Sequence, residues 1–275
     1  MYAKTIFYFM YDRYTINNKS TTVRQVITLI SVIAAFGMNV LANIRPINGL
    51  TIGQISNQFF GDILITPANY AFAIWGLIYL GLISFAVYQA LPGQKNNPLL
   101  RQVGYKIALA SVSQIAWVFC FLYRQYAVSF VAMLGILLPL IGAYLCLPRN
   151  RPPAGQRWLV CRPISIYLSW ISLATILNGS IALSASEWTG WGVSPQVWTV
   201  IMLLVAATVA HVVSIPRLDF AYASVFVWGA IAIAVKNTGE LIISGTAIGL
   251  SLALTILLLS FSFYAPIEDR RDLNN

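Results

Sequence analysis

Charged side chains are scarce in this sequence: they make up 9% of its 275 residues, whereas hydrophobic residues make up 59%. A water-soluble globule of this length would lack the polar residues that cover a surface, so the surrounding solvent is predicted to be lipid. Lipid offers no partner to backbone N–H and C=O groups. The long uninterrupted apolar runs suit helices, which pair these groups internally, rather than the alternating strands of a barrel. The low charge therefore predicts an all-α polytopic membrane helix bundle.

Residues that perform the chemistry of enzymes and pumps are also few. The chain has one His and eight Asp and Glu, and no acid lies securely inside an apolar run, so the carboxylate relay of a proton-coupled pump is not predicted. The three Cys form no CxxC pair, which argues against a zinc site or a disulfide framework. A phosphate-binding glycine loop, a GxSxG elbow and an HExxH motif are absent as well. We therefore predict no catalytic residue, no metal site and no required cofactor.

About eight transmembrane helices are predicted from the apolar runs. Crossing a bilayer takes about 17 to 25 residues of helix, and every run except the seventh reaches or approaches that length. The runs are residues 26–43, 70–91, 107–123, 127–147, 164–184, 197–215, 220–235 and 241–264.

Basic residues alternate between rich and poor segments along the chain. When the segments between runs are assigned to alternate sides of the membrane, fourteen Lys and Arg fall on one side and three on the other, namely Arg45, Arg124 and Lys236. Basic loops stay in the cytoplasm, so both termini are predicted to be cytoplasmic. The net charge of +9 is explained by this topology, and membrane lipids rather than nucleic acid are the predicted partners. We expect a bacterial inner membrane or an organelle membrane.

The longest connection between runs, residues 44–69, is predicted to be more than a linker. Connections longer than about 12 to 15 residues are usually functional or disordered. This one has enough apolar surface to pack as a lid, from Phe59, Phe60, Ile63, Leu64 and Ile65. We therefore predict that it closes one side of a cavity in the bundle.

The second run begins with a proline turn followed by aromatic residues. Pro67 precedes Trp75, and Tyr79 lies four residues after Trp75. This pattern resembles the start of the second helix in the translocator protein family, whose members are also called tryptophan-rich sensory proteins or peripheral benzodiazepine receptors. The second Pro and the Trp that follow in many members are Ala68 and Asn69 here.

The fifth run contains a second and more specific match. Trp170, Ala174, Thr175 and Asn178 stand in the order and spacing of a Trp-x-x-x-Ala-Thr-x-Leu-Asn stretch, which is similar to the fifth helix of the same family. The tyrosine that follows this Asn in sterol-binding members is Gly179 here, so the proposed cholesterol motif is absent, and that motif is a weak pattern even where it is present.

The resemblance covers residues 44–184 and implies both an architecture and a function. It implies a five-helix unit (24–185) like the translocator protein, preceded by a cytoplasmic or interfacial arm (1–23) and followed by an additional three-helix unit (186–265) and a tail (266–275). It also implies a membrane receptor or carrier with a sensory or regulatory role, whose hydrophobic ligand is a tetrapyrrole such as porphyrin or haem, or else a sterol-like lipid. The implied ligand-binding residues are Pro67, Trp75, Tyr79, Gln114, Trp117, Trp170, Ala174 and Asn178.

Two other functions stay open at this point. A secondary transporter or channel-like facilitator of a small solute could use Pro139 and the glycines of the second and eighth runs to break or flex helices. Enzymatic activity is the less expected option. Light-dependent oxidation of porphyrin at a tryptophan is known in the family, and Trp75 or Trp170 would then be the reactive residue.

Four polar side chains fall inside apolar runs: Asn39, Gln114, Asn178 and His211. Such groups are costly in lipid and usually face the interior of a bundle, so hydrogen bonds between helices are the favoured interpretation of all four. His211 could alternatively ligate a haem iron or relay a proton. Tryptophans near the ends of runs are expected to form an interfacial belt. These are Trp158, Trp188, Trp191 and Trp198.

A pair of glycines in the last run has the spacing of a helix-packing motif. Gly245 and Gly249 form a GxxxG pattern, which lets two helix backbones approach closely. Packing against another helix of the same chain is the favoured interpretation, and a homodimer is the alternative.

Overall fold

The computed structural model describes the backbone of residues 2–150 and 152–264, and the side chains of 20–150 and 152–263. Throughout this part the chain forms helices and no strands. The α-helices are α1 (Tyr2–Ile44), α2 (Ile52–Phe60), α3 (Ile74–Ala90), α4 (Pro98–Leu122), α5 (Tyr126–Leu145), α6 (Ala154–Gln156), α7 (Arg162–Ala185), α8 (Pro195–Ser214), α9 (Phe220–Lys236) and α10 (Leu241–Tyr264). The predicted arm belongs to α1 from Tyr2 onward, and the predicted tail, 266–275, lies outside the described residues.

Seven helices of the described chain are long and apolar enough to cross a membrane. The eighth predicted span, α9, has 17 residues, which gives a length of about 25 Å at 1.5 Å per residue. The hydrocarbon core of a bilayer is about 30 Å thick, so α9 is shorter than the layer it would cross. The chain is a multi-pass integral membrane protein with an all-helical fold, as its composition predicts.

Local capping signals set where several helices begin. Asn97 accepts hydrogen bonds from the backbone N–H groups of Leu99 and Leu100, and Pro98 follows it at the first helical position. The third span therefore begins at Pro98, nine residues before the predicted start at 107. The side chain of Asp219 caps α9 in the same way, accepting from Tyr222 N–H at 3.0 Å.

The helices pack in a connected order that brings the two halves of the chain together. In the first half, α4 lies between α1 and α5, and α7 packs against α3 and α5. In the second half, α9 contacts α8 and α10, and it also packs directly on α7. Residues on both sides of the expected boundary at 185 therefore share one helix interface.

The two glycines of α10 point away from the rest of the described chain. A Cβ atom added to Gly245 or Gly249 would meet nothing within 4 Å, and both residues are exposed. The expected packing of this motif against another helix of the same chain is therefore wrong. The GxxxG face is open toward the membrane.

Three of the four belt tryptophans lie together between α7 and α8. The ring centroids of Trp188, Trp191 and Trp198 are 5.1 to 6.1 Å apart. The Trp198 indole N–H donates to the carbonyl of Gly190 at 2.9 Å, and Trp191 is 80% exposed. The fourth, Trp158, lies under the guanidinium of Arg162 at 3.4 Å. All four are near helix ends, where an amphipathic ring can meet an interface.

Candidate functional site

A cavity of about 440 Å³ lies inside the bundle. Side chains from α1, α2, α3, α4, α5, α7, α8 and α9 line it, together with the turn between α2 and α3. Its volume falls in the range of about 300 to 1,000 Å³ that is usual for small-molecule sites. The cavity therefore has the size and the enclosure of a ligand pocket.

Aromatic rings form the apolar part of the wall. The rings of Trp75 and Tyr79 stack with centroids 5.6 Å apart, and Trp170 meets Phe72 edge to face at 5.9 Å. These are the arrangements that aromatic pairs prefer, so each ring is held in place by a neighbour. The aromatic residues of the wall are Phe72, Trp75, Trp117, Phe121 and Trp170.

Another part of the wall is polar but, among the residues that the structure describes, uncharged. Its side chains are amides and hydroxyls supplied by the end of α1, by α2 and by the turn after α2. The Ser56 side chain is 4% exposed, and its hydroxyl oxygen has no hydrogen-bond partner among the described residues. A buried hydroxyl without a partner is uncommon. The polar residues here are Asn39, Asn43, Thr51, Gln54, Ser56, Asn57 and Asn69.

Six of the eight residues implied by the family resemblance line this cavity. They come from the α2–α3 turn, α3, α4 and α7, and they include the tryptophans of both motifs. The six are Pro67, Trp75, Trp117, Trp170, Ala174 and Asn178. The motifs around Trp75 and Trp170, which are far apart in the sequence, thus face the same cavity.

Tyr79 and Gln114 do not line the cavity. Gln114 is 1% exposed, its amide N–H donates to the Tyr79 hydroxyl, and its carbonyl oxygen accepts from the Tyr167 hydroxyl at 2.6 Å. Both ends of the amide are therefore used in joining α3, α4 and α7. This group lies behind Trp75, whose ring is 6.2 Å from that of Tyr167, and it supports the wall rather than forming it.

Asn178 both lines the cavity and joins two helices. Its side-chain carbonyl accepts from the Trp117 indole N–H at 2.9 Å, and its NH₂ group donates to the carbonyl of Ala174 at 2.9 Å. The expected interhelical hydrogen bonds are thus confirmed for Asn178 and for Gln114. The contacts of Asn39 and His211 are instead within their own helices: Asn39 accepts from Asn43, and His211 Nδ1 lies 2.7 Å from the carbonyl of Ala207.

The connection between α1 and α3 forms one side of the cavity, as its apolar residues predict. Its helix α2 begins with a capping box, in which Thr51 Oγ1 accepts from the Gln54 N–H and the Gln54 side chain accepts from the Thr51 N–H. Its inner face buries Ile55 completely, and Phe60 packs edge to face on Tyr126 at 4.8 Å. These contacts hold α2 across the cavity.

Helix α9 holds the rest of this connection in place. The Asn237 NH₂ group donates to the carbonyl of Leu64 at 2.9 Å, and the Trp228 indole N–H donates to the carbonyl of Ala71 at 3.0 Å. Between them, the backbone N–H of Ala68 donates to the carbonyl of Ala232 at 3.0 Å. The lid is thereby tied to the C-terminal helices.

Sequence reasoning missed the contribution of α8 and α9 to the wall. Leu203 and Ala206 of α8 and Gly229 and Ile233 of α9 line the cavity. Gly229 sits close to α7, since a Cβ there would come within 2.6 Å of Leu173 Cδ1. Small residues spaced along an apolar helix are too common in membrane proteins to identify a pocket by themselves.

The cavity wall has few groups suited to a metal. Of the lining residues that the structure describes, none is His, Cys, Asp or Glu, and the sulfur-containing one is Met133, a thioether. Among the described residues, no group of three or more His, Cys, Asp and Glu could hold a metal ion. His211 does not reach the cavity, so it is not placed to ligate the iron of a haem bound there.

A sequence profile of the family described as TSPO-like protein matches residues 25–260. A search of curated proteins and a search of solved structures each find no match. The matched stretch extends beyond residues 44–184 at both ends. It crosses the expected boundary at 185 and includes α8, α9 and nearly all of α10.

Proposed function

We propose that this chain, which belongs to the TSPO-like protein family, is a membrane receptor or carrier that binds a bulky apolar small molecule inside its helix bundle. The observation that supports this most directly is the cavity of about 440 Å³, whose lining combines tryptophan rings with amide side chains. Ligand sites are commonly apolar clefts in which a few placed polar groups fix orientation. A tetrapyrrole or a sterol-like lipid has the flat or bulky body that such a site accommodates.

The amide side chains of Asn39, Asn43 and Asn57, which line the cavity, give the ligand a defined orientation in this proposal. A polar group that leaves water needs hydrogen-bond partners, and amides supply both donors and an acceptor. The polar end of the ligand would therefore lie against α1 and α2, and its apolar body between the rings of Trp75 and Trp170.

Fluorescence titration tests this function. Purified protein in nanodiscs is titrated with protoporphyrin, haem and cholesterol while tryptophan emission is followed. We expect saturable quenching by at least one ligand, reduced in the Trp75→Phe and Trp170→Phe variants because their rings line the cavity. Trp158→Phe is the matched control, since that indole is 54% exposed and outside the cavity. Quenching that never saturates, or that is lost equally in the control, would refute the proposal.

The transporter alternative requires a helix that breaks along a solute path. Pro139 is one of the residues expected to break or flex a helix, yet α5 continues through it as one helix over Tyr126–Leu145. A counter-flow assay in vesicles separates the two functions, because a receptor binds its ligand saturably without catalysing exchange of a solute.

A further inference from the structure

We propose that the cavity selects an uncharged ligand, whose polar end is a carbonyl, ester, ether or hydroxyl group bound by the amides and hydroxyls of α1 and α2. This inference rests on the proposed function and specifies the chemical class of its ligand. It predicts that the cavity binds neutral lipids and neutral tetrapyrroles in preference to tetrapyrroles that carry ionised carboxylates.

The absence of charge in the wall is the first observation. Among the described residues that line the cavity there is no Lys, Arg, Asp or Glu. The nearest cations that the structure describes around the lid have other contacts: the Arg124 guanidinium lies 4.5 Å from the ring centroid of Phe59, and Lys236 Nζ donates to the carbonyl of Ile63 at 3.4 Å. Neither residue lines the cavity, and Arg45, which follows α1, does not line it either.

An ionised carboxylate would lose its water in this cavity without gaining a cation. Moving a charge out of water is strongly unfavourable unless it is paired, whereas a neutral carbonyl or hydroxyl is compensated by one or two hydrogen bonds. The positive feature of the wall is the N-terminus of α2, a partial charge only. Its Gln54 N–H is already bonded to the Thr51 hydroxyl, which weakens it further as an anion site.

The polar wall matches a neutral polar group well. Asn and Gln side chains each offer two N–H donors and a carbonyl acceptor, and Ser offers both roles. Asn39, Asn43 and Asn57 therefore satisfy a ligand that donates, accepts or does both.

Protoporphyrin and its dimethyl ester form a matched pair of probes, because they share a ring and differ in two carboxylates. Affinity is measured in nanodiscs by tryptophan quenching, with cholesterol as a third, neutral probe. The Ala206→Phe variant fills the cavity from α8. The quenching that remains in it measures partition of each probe into lipid and is subtracted. Val205→Phe is its control, since Val205 is 47% exposed and does not line the cavity. If Ala206→Phe fails to fold, Ala174→Leu fills the cavity from α7.

We expect wild-type protein to bind the ester at least about tenfold more tightly than the free acid. Binding of cholesterol without either porphyrin would also support the inference. A smaller preference, or tighter binding of the acid, overturns it and leaves the proposed function standing. If none of the three probes binds saturably, the proposed function itself fails.

A positively charged side chain introduced into the wall provides an independent test. Asn57 lines the cavity and Gln58, its neighbour in the last turns of α2, does not. We expect Asn57→Arg to tighten binding of the free acid by about tenfold and to leave the ester within about twofold, while Gln58→Arg changes neither. If Asn57→Arg and Gln58→Arg have equal effects, the arginine acts through its charge at long range. That result would overturn the assignment of this wall as the place where the polar end of the ligand binds.

Discussion

At the scale of single residues, the candidate site has two layers with different roles. Trp117 and Asn178 face the cavity and are bonded to each other, whereas Gln114 stands behind the wall with both ends of its amide occupied. Buried polar groups that are fully paired fix the relative positions of helices. Substitutions in the second layer should therefore change stability more than ligand affinity.

Replacing Gln114 by Leu tests this distinction. The change leaves the hydroxyls of Tyr79 and Tyr167 unpaired in the bundle, where an unsatisfied polar group costs about 1–3 kcal/mol. We expect a lower thermal unfolding temperature in detergent, with ligand affinity at low temperature within about twofold of wild type. Gln102→Leu, on the exposed part of α4, should change neither. Loss of affinity at unchanged stability would place Gln114 in contact with ligand.

A double-mutant cycle measures the bond between Trp117 and Asn178. Trp117→Phe removes the N–H donor and Asn178→Ala removes the acceptor. Each single variant already abolishes the hydrogen bond, so the double variant loses no further bond. Interhelical hydrogen bonds in membranes average about 0.6 kcal/mol and reach about 1.7, and we expect a coupling in this range from unfolding free energies. A coupling near zero would show that the two residues act separately.

At the scale of elements, α9 determines how firmly the lid is closed. It is a short helix, and its hydrogen bonds to the α2–α3 connection come from its middle and its C-terminal end: Trp228 reaches Ala71, and Asn237 reaches Leu64. The connection also makes backbone hydrogen bonds of its own, from Ile63 N–H to the Phe60 carbonyl and from Thr66 N–H to the Ile63 carbonyl, but these are local and do not attach it to the bundle. Movement of α9 relative to α7 would therefore open the cavity.

Weakening one of these bonds should make the lid more mobile. Asn237→Ala removes the donor to Leu64, a loss of about 1 kcal/mol, and we expect ligand to dissociate about fivefold faster. Hydrogen exchange of residues 63–71 should rise in parallel. Thr238→Ala, an exposed neighbour, is the control. An unchanged exchange rate in this segment would show that α9 does not hold the lid.

The open glycine face of α10 leads to a prediction about assembly. Because nothing in the described chain covers Gly245 and Gly249, we expect a homodimer in which two α10 helices meet at this face, where small residues allow close backbone contact. The Gly245→Leu, Gly249→Leu double variant should run as a folded monomer in detergent. Thr255→Leu adds similar bulk to another exposed position and should leave the dimer intact. A dimer that survives the glycine substitutions would exclude this interface.

At the scale of the whole molecule, orientation depends on whether α9 crosses the membrane. With α9 crossing, fourteen of the seventeen Lys and Arg lie on the side of both termini, which the positive-inside rule places in the cytoplasm. Without that crossing, the basic residues at the C-terminus would fall on the opposite side. The charge distribution therefore favours a crossing even for a helix of 17 residues.

Reporter fusions decide the orientation. A phosphatase that is active only outside the cytoplasm should be silent when fused after Asn275 and active when inserted after Asn57, which lies on the lid. The first fusion reports whether the number of spans is even or odd. The second reports on which side of the membrane the lid closes the cavity. Activity in the first and silence in the second would refute the eight-span orientation.

The sequence by itself determined the solvent, the helical class and the motifs that meet at the cavity. Composition and run length suffice for the first two, because unpaired backbone groups are excluded from lipid whatever the tertiary arrangement. The spacing of Trp75 and Trp170 within their motifs was enough to identify the family. These properties depend on local sequence alone.

Only the tertiary structure decided which polar residues face the cavity and which helices close it. A helical run fixes the angular spacing of its residues, but not the rotation of the helix against its neighbours. Tyr79 therefore lies behind Trp75 rather than beside it, Gly249 faces outward, and Ala206 and Gly229 complete the wall. An apolar helix in lipid lacks the amphipathic face that reveals orientation in water, so these placements follow from packing between helices.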